Sequence, residues 1–592
     1  MRKVTNIKHS VTDEVMSSPD EVPLPSYSHT RERLVRAVHP HIICSLTCGG
    51  RECRYEGPEG WSAEQQAIKG LYSSWITDEI IAMSRPSTRL VQKYNITEQF
   101  SRFGIRSLVS AQIPWEHPYC GDPLDSQSGF SYNPQDFMDS GVSFYNFGLP
   151  DFGVVPVPRI LDAVKVITFA LREGKVAVHC HAGLGRTGVL IACYLIFSCR
   201  VHAADAVRFV RLRRPGSIQT GAQVSLICDF AMFLTSQWPV FPCSPADSLS
   251  FTLPQYLICQ RHLLHGQEAR SLRHLPKPVV MICQRLAQLA SGRRGRGGSL
   301  ADMEREASNR LLCQVIMRAS SDRHQKPPLN ICDSKDEEDS TRGKRRNRIL
   351  QSHMSCDTGI LQLLLTGDKT AEAASNVLCH LDPVHMTTPR VEGKLSEDIE
   401  RRTDTSTTNN GDIERPTPPH VLNIAEALAE LEVPDTETQQ TVHSLKLLLN
   451  EEGAWSVVST ESNPRVLCSL LWDWLKQLKE PVLSLEDVNL LCDGNWRQNL
   501  TKLSRCQGET LCCLLQCVSK FTSLPPSLED MVLLRVIRGL TQLPKDGPNM
   551  PSNVLQQLRS IEYEIRLHRM TARGLRKQQL PIVATQKMQQ TK

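Results

Sequence analysis

The chain has 592 residues, of which 40% are hydrophobic and 22% charged, and its formal net charge is only +5. This length predicts about three or four domains, and the weak basic bias argues against a dedicated nucleic-acid-binding protein. The most apolar run, Val189–Phe197, is too short to span a bilayer, so no membrane insertion is expected.

In chain order, residues 1–35 are polar and aperiodic and predict a flexible arm. Residues 36–240 predict one α/β domain, because short β-type runs alternate with helical patterns. The apolar spacing from Val157 to Leu171 is typical of a helix with one buried face. The expected fold is a mainly parallel sheet flanked by helices, with strands at Gly104–Ser110, Val142–Phe147 and Lys175–His179.

The rest of the chain predicts helices separated by polar linkers. Residues 241–292 have a helical pattern and are expected to pack beside the α/β domain. Residues 293–419 predict a mostly disordered linker around a helical island near 350–382. Residues 420–570 predict a helical domain and 571–592 a polar tail, and this C-terminal half is the expected site for protein partners.

The 21 cysteines are scattered without the spacing of a disulfide framework. They predict reduced thiols in a reducing, cytoplasmic compartment, where most serve as small hydrophobes in the core. No metal site and no cofactor are predicted.

One stretch, Val176–Phe197, carries the chemistry. A β-type run leads into His179 and Cys180, a glycine-bearing loop follows, and an apolar helix begins near Arg186. The seven residues from Cys180 to Arg186 can curl so that their backbone N–H groups surround a phosphate, with the helix dipole aimed at the same point. The substrate-binding residues of this cradle are His181, Ala182, Gly183, Leu184 and Gly185.

The same field favours the thiolate of Cys180, which is predicted to attack phosphorus and form a phosphocysteine. Arg186 offers a planar fork for two phosphate oxygens. Thr187 can donate its hydroxyl to the sulfur, and His179 is a further auxiliary residue. A second C-x5-R match, Cys48–Arg54, lacks a following helix and is interpreted as structural.

Two further loops complete the predicted site. Asp151 follows a strand on a loop with glycine and proline, 29 residues before Cys180, and is the candidate general acid. Gln219 and Gln223 lie after the next helical stretch and are candidates to position the hydrolytic water.

The run from His179 to Gly188 resembles the signature loop of protein tyrosine phosphatases, particularly the dual-specificity branch. Leu149-Pro150-Asp151 is similar to the mobile acid loop of that family, with leucine in place of the usual tryptophan. Flanking runs, Gly70–Asp78 and Leu253–Leu257 among them, resemble the protein tyrosine phosphatase domain-containing protein family. That resemblance implies a role in cilium formation or maintenance and a centrosome or cilium location.

The expected substrates are phosphorylated proteins, with phosphotyrosine and phosphoserine or phosphothreonine both open. The lipid phosphatase branch places lysines in the loop where this chain has His181 and Leu184, so the loop carries less positive charge and a phosphoprotein is favoured. A phosphoinositide phosphatase is the second hypothesis. A third is a non-catalytic scaffold that binds phosphoproteins.

Overall fold

The computed structural model describes residues 23–25, 27–37, 42, 44, 48–241, 251–292, 300–321, 417–432, 434–521, 523–544 and 550–567. The helical island predicted near 350–382 and the tail 571–592 lie outside the described residues. The domain boundaries stay predictions.

A five-stranded mixed sheet forms the centre of the α/β domain, in the order β1-β2-β5-β3-β4. β1 is antiparallel to β2, and the other three pairs of neighbouring strands are parallel. This arrangement confirms the predicted fold class and the three predicted strands. The strands are β1 Ser73–Trp75, β2 Ile80–Met83, β3 Ile105–Ser110, β4 Ser143–Asn146 and β5 Lys175–His179.

Helices cover both faces of the sheet. The helix predicted from the Val157–Leu171 spacing is present as Val157–Ala170, and it buries Ile160, Val164 and Ile167. These residues and the helix Gly185–Cys199, which is buried except at Phe197 and Ser198, form one core. Shorter helices enclose a second core on the opposite face. The other helices of this domain are Thr88–Tyr94, Ile96–Phe103, Pro134–Asp139, Ala203–Arg213 and Gly221–Thr235.

The C-terminal half is helical where it is described. Helices from 253–290 and 419–561 share one apolar core, in which Tyr256 packs edge-on against Trp474 at 5.0 Å. Residues 251–292 therefore pack mainly with the C-terminal helices rather than simply beside the α/β domain. The helices with defined bounds are Leu253–Leu263, Gly266–Ser271, Lys277–Ala290, Pro419–Ala429, Thr436–Glu451, Ser456–Thr460, Pro464–Lys476, Leu485–Cys492, Trp496–Leu500, Arg505–Val518 and Pro526–Thr541, and residues 554–567 are also helical.

Two helices lie where the sequence predicted no order. Leu300–Ser321 is a helix within the predicted linker, and it buries Ile316 against the core of the α/β domain. Leu312, Cys313 and Ala319 pack against the same core, and the charged residues between these positions hid the apolar face from the composition argument. Residues His29–Ala37 also form a helix, within the predicted arm. No helix in the described part of the chain is long and apolar enough to cross a membrane.

Candidate active site

The candidate nucleophile lies at the carboxyl end of the central strand, β5. Cys180 is the first residue after β5, is 4% exposed, and is followed by a loop that ends where the helix Gly185–Cys199 begins. Since β2, β3 and β5 are parallel, their carboxyl ends meet at this loop. Such an edge is where open α/β sheets bind their ligands.

The loop after Cys180 presents unused backbone donors. No described residue accepts a hydrogen bond from the backbone N–H groups of residues 181–185. The carbonyl oxygens of residues 181–184 instead accept from groups outside the loop. These donors are the Arg85 N–H at His181 (2.9 Å), the Arg214 guanidinium at Ala182 (3.1 Å) and Gly183 (2.7 Å), and the Ile218 N–H at Leu184 (3.2 Å). With its carbonyls held outward, the loop leaves its amides available to an anion.

Gly183 is required by this geometry. Its φ is +67°, and a Cβ at this position would lie 2.0 Å from the carbonyl oxygen of Met83 in β2. A side chain would therefore push the loop off the sheet.

Arg186 is buried beneath the loop and is ionically paired. Its Nη1 donates to Glu116 Oε2 at 2.7 Å, and its Nη2 lies 3.1 Å from Asp151 Oδ1. Burial alone would lower the pKa of Arg186, but Asp151, Glu116 and Cys180 raise it above its ordinary value. Its Nε has no hydrogen-bond partner among the described residues. A buried guanidinium donor left unpaired is costly, and a phosphate oxygen would satisfy it.

Asp151 reaches the loop from the segment after β4, with its side chain 31% exposed. Its Oδ2 is 3.1 Å from Nε2 of His117. Burial would raise the pKa of Asp151, but Arg186 and His117 hold it below its ordinary value. The acid loop is therefore closed over the site with its carboxylate ionised.

The two histidines that flank Cys180 are buried. His179 Nε2 lies 2.7 Å from the Tyr132 hydroxyl, and burial lowers the pKa of His179 to about 4. His181 stacks on His117, with ring centroids 4.3 Å apart, and burial together with the charge of His117 lowers the pKa of His181 well below its usual value. Both imidazoles are therefore neutral at pH 7.

Thr187, Gln219 and Gln223 also meet the loop. Thr187 is fully buried, and its hydroxyl has no hydrogen-bond partner among the described residues. A Cβ on Gly185 would lie 2.8 Å from Gln219 Oε1 and 2.9 Å from Gln223 Nε2, so both amides lie against the loop. Gln223 Oε1 accepts from the Gln219 N–H at 2.8 Å, which ties its side chain to the helix start.

The structure thus brings together every residue that the sequence assigned to the site, and it adds three that were missed. Glu116 binds Arg186, His117 binds Asp151, and Arg214 holds the loop carbonyls. Glu116 and His117 follow β3, so their position after a buried strand was the available signal. Arg214 precedes a Pro-Gly pair in a loop, and no local pattern indicates that it is buried.

The sheet, the amide loop and the buried arginine define a catalytic domain of the protein tyrosine phosphatase type. Consistent with this, the family described as "Dual specificity phosphatase, catalytic domain" matches residues 155–231. Dual specificity protein phosphatase CDC14B of Mus musculus is 40% identical over 87 residues, which are 15% of this chain and 18% of that protein.

Two relatives extend the likeness over most of the chain. Protein tyrosine phosphatase domain-containing protein 1 of Bos taurus is 33% identical over 89% of this chain and 87% of its own length. The protein of that name from Danio rerio is 34% identical over 89% of this chain and 91% of its own length. The chain belongs to the protein tyrosine phosphatase domain-containing protein 1 family.

Proposed function

We propose that the protein is a cysteine-dependent phosphatase that hydrolyses phosphate esters on proteins. The observation that carries the proposal is a phosphate-sized set of unused donors around Cys180. The amides of residues 181–185 and Nε of Arg186 lack acceptors among the described residues. An anion with several oxygens satisfies all of them at once, and the sulfur lies at the base of the same loop.

The chemistry follows in two steps. The Cys180 thiolate attacks phosphorus, the ester P–O bond breaks, and the leaving oxygen takes a proton from Asp151. Water then attacks the phosphocysteine and gives a proton to Asp151, and the P–S bond breaks to release inorganic phosphate and the Cys180 thiolate. The Thr187 hydroxyl stabilises that sulfur, and Gln219 and Gln223 position the water.

A general acid must carry a proton, yet Asp151 is ionised when the loop is closed without substrate. The cause is the charge of Arg186 and His117. A bound phosphate dianion offsets the charge of Arg186, so we infer that substrate raises the proton affinity of Asp151 where it is needed.

The charge of the loop favours protein over lipid substrates. His181 is neutral and Leu184 is apolar, so Arg186 is the cation that meets the phosphate. An inositol ring with several phosphates would need more positive charge at those two positions. The scaffold hypothesis is weaker because Cys180, Arg186 and Asp151 are all present, and Arg186 pairs with Asp151 at 3.1 Å and interacts electrostatically with Cys180.

By resemblance to the family, we further propose a cytoplasmic role in cilium formation or maintenance, at the centrosome or cilium. Cells that lack the protein should then recover cilia when they receive the wild-type chain and should not recover them with Cys180→Ser. Equal rescue by both chains would separate the cilium role from catalysis.

The activity itself is tested on the full purified chain with phosphotyrosine peptides, phosphoserine and phosphothreonine peptides, and phosphoinositides. Peptide turnover that Cys180→Ser abolishes is expected, with substrate still captured by the variant. The matched control is Cys228→Ser, which removes a half-buried thiol from the helix Gly221–Thr235 and should retain activity. Turnover of lipids alone would replace the proposed substrate class, and no turnover of any of them would favour the scaffold.

A further inference from the structure

Four cysteines and two histidines lie together on one side of the catalytic loop. They come from three separate parts of the sequence, residues 44–53, 117–120 and the loop itself. Cys44, Cys48 and Cys120 are at most 5% exposed, and all three are free thiols. Cysteines gathered this densely in a reducing compartment are more often metal ligands than packing residues.

Three distances between donor atoms are close to the edges of a tetrahedral metal centre. Cys48 also belongs to a second group of possible ligands, with Cys120 and His181. Cys44 Sγ is 3.3 Å and Cys120 Sγ 3.9 Å from Nδ1 of His117, and Cys48 Sγ is 3.5 Å from Cys120 Sγ. The donor atoms of Cys44, His117 and Cys120 all lie within 4.8 Å of one another. A zinc ion with Zn–S of about 2.3 Å and Zn–N of about 2.0 Å has ligand-to-ligand edges of about 3.4–3.8 Å.

The tautomer of His117 is suitable for metal binding. Its Nε2 faces Asp151 Oδ2 at 3.1 Å, and the ring is cationic without an ion, so a metal would take the place of the Nδ1 proton while Nε2 keeps its own. Nδ1 is then a lone pair directed at the two thiols. A carboxylate that holds the far nitrogen of a ligating histidine is the usual outer shell of a zinc site.

A metal would add a further link between two segments that already touch. Between Cys48 and β1, the ordered elements are three short 3-10 helices, Gly50–Glu52, Pro58–Gly60 and Ala63–Gln65. The Gly121 N–H donates to the Gly50 carbonyl at 2.9 Å, which already joins this segment to the loop after β3. Arg85, which is fully buried, also donates to the Cys120 carbonyl and places positive charge beside the thiols.

We propose that Cys44, Cys48, Cys120 and Nδ1 of His117 bind a structural zinc ion that fastens the segment before β1 to the loop after β3. Zinc is the cation of choice because three thiolates and one imidazole form a closed tetrahedral set for it. Binding displaces the three thiol protons and the Nδ1 proton of His117, so the bound form is favoured as pH rises. Cys53 lies outside this set, since its Sγ faces Nε2 of His181 at 3.5 Å.

The first test is the metal content of the full chain, expressed without a polyhistidine tag and measured by plasma mass spectrometry. About one zinc per chain is expected, removable by a strong chelator and restored by zinc alone. Removal should lower the thermal midpoint by several degrees, and zinc should restore it. A chain that remains free of zinc after exposure to zinc would overturn the proposal.

The ligand set is tested by Cys120→Ser and His117→Gln, which should lose the zinc. The matched control is Cys53→Ser, which changes a buried thiol of the same segment and should retain it. If a ligand variant does not fold, the wild-type chain loaded with cobalt decides the matter, because three thiolates give intense sulfur-to-cobalt charge-transfer absorption. Absence of that absorption, or loss of zinc in Cys53→Ser with retention in His117→Gln, would contradict this set.

Discussion

The α/β domain and the helical region differ in how many charged side chains they bury. The α/β domain buries Arg85, Arg186, Arg214 and Glu56, each at most 3% exposed. The helical region, residues 251–292 and 417–567, buries mostly leucine, valine, isoleucine and tryptophan. Its buried charged side chains in the described residues are Glu562, paired with Arg566 at 2.7 Å on the same helix face, and Arg285, which donates to the Glu461 carbonyl.

This difference shows which region is built to hold an anion. Desolvating a charged group costs several kcal/mol unless its hydrogen bonds are replaced. In the α/β domain these groups hold a loop of unused donors in place, whereas the helical region has an apolar core that stabilises itself. We therefore interpret the buried charges of the α/β domain as supports of the candidate site.

The largest expected effect comes from one arginine change made in each region. Arg186→Lys should lower kcat/KM by about 10³-fold, because an ammonium cannot bind Glu116 and two phosphate oxygens in one plane. Arg535→Lys, in the helical region, removes a guanidinium that lies 4.4 Å over Trp472 and should leave the rate unchanged. Steady-state kinetics on a phosphopeptide compares the two. Similar losses would mean that the helical region takes part in catalysis.

The second effect separates proton transfer from charge. Asp151→Asn should lower kcat by about 10²-fold on an alkyl phosphate, whose leaving group needs a proton. The loss should be small on an aryl phosphate with an acidic leaving group. Asp162→Asn, an exposed carboxylate on the helix Val157–Ala170, is the matched control. An equal loss on both substrates would remove Asp151 from the general-acid role.

Sequence patterns predicted the parts of the site that lie close together in the sequence or directly follow a recognisable strand. Cys180, the loop and Arg186 lie in one strand-loop-helix run, and Asp151 follows a recognisable strand. Glu116 and Arg214 were missed because they act through tertiary contacts with Arg186 and with the loop carbonyls. Burial of a charged side chain depends on its partner, and one local pattern does not contain the partner.

The same limit applied to the fold. β1 and β2 were missed because they have three and four residues, too few to show a period. The amphipathic pattern of 253–290 predicted a buried face but not its neighbour, which proved to be the C-terminal helices. The thiol cluster follows the same rule, since Cys44-x3-Cys48 and His117-x2-Cys120 are weak patterns until the fold joins them.

The third effect concerns the loop backbone. Gly183→Ala should cost about 3 kcal/mol of unfolding free energy, from left-handed strain plus the clash with the Met83 carbonyl. Gly216→Ala is the matched control, because its φ is +81° but nothing lies within 4 Å of the added carbon. It should cost about 1 kcal/mol. Urea unfolding measures the two costs. Equal costs would mean that the loop shifts to accommodate the added Cβ without further loss of stability.

The fourth effect tests the junction of the two regions. The Asn450 side chain accepts from the Val240 and Phe241 N–H groups at 2.8 and 2.9 Å and donates to the Phe241 carbonyl at 2.7 Å. Asn450→Ala should cost about 2 kcal/mol and split the calorimetric transition into two. Asn495→Ala removes one cap within the helical region and should cost about 1 kcal/mol without splitting. A single transition in Asn450→Ala would mean that other contacts couple the regions.

The smallest effect is a pH dependence that belongs to the α/β domain and the helices beside it. Burial lowers the pKa of His179, His262 and His265 to about 4. Between about pH 6.5 and 4 the unfolded chain binds protons at these sites and the folded chain does not, so stability falls as the pH falls. Each site contributes a slope of about 1.4 kcal/mol per pH unit.

His179→Gln should therefore reduce that slope by the contribution of one site, about 1.4 kcal/mol per pH unit. Urea unfolding at a series of pH values measures the slope. The amide can replace the hydrogen bond to Tyr132 but cannot titrate. The change should be confined to the window between the two pKa values and absent above pH 7, where the histidine is neutral in both states. An unchanged slope would show that His179 gains its proton without unfolding. The imidazole would then be less well shielded from water within the α/β domain than the structure shows.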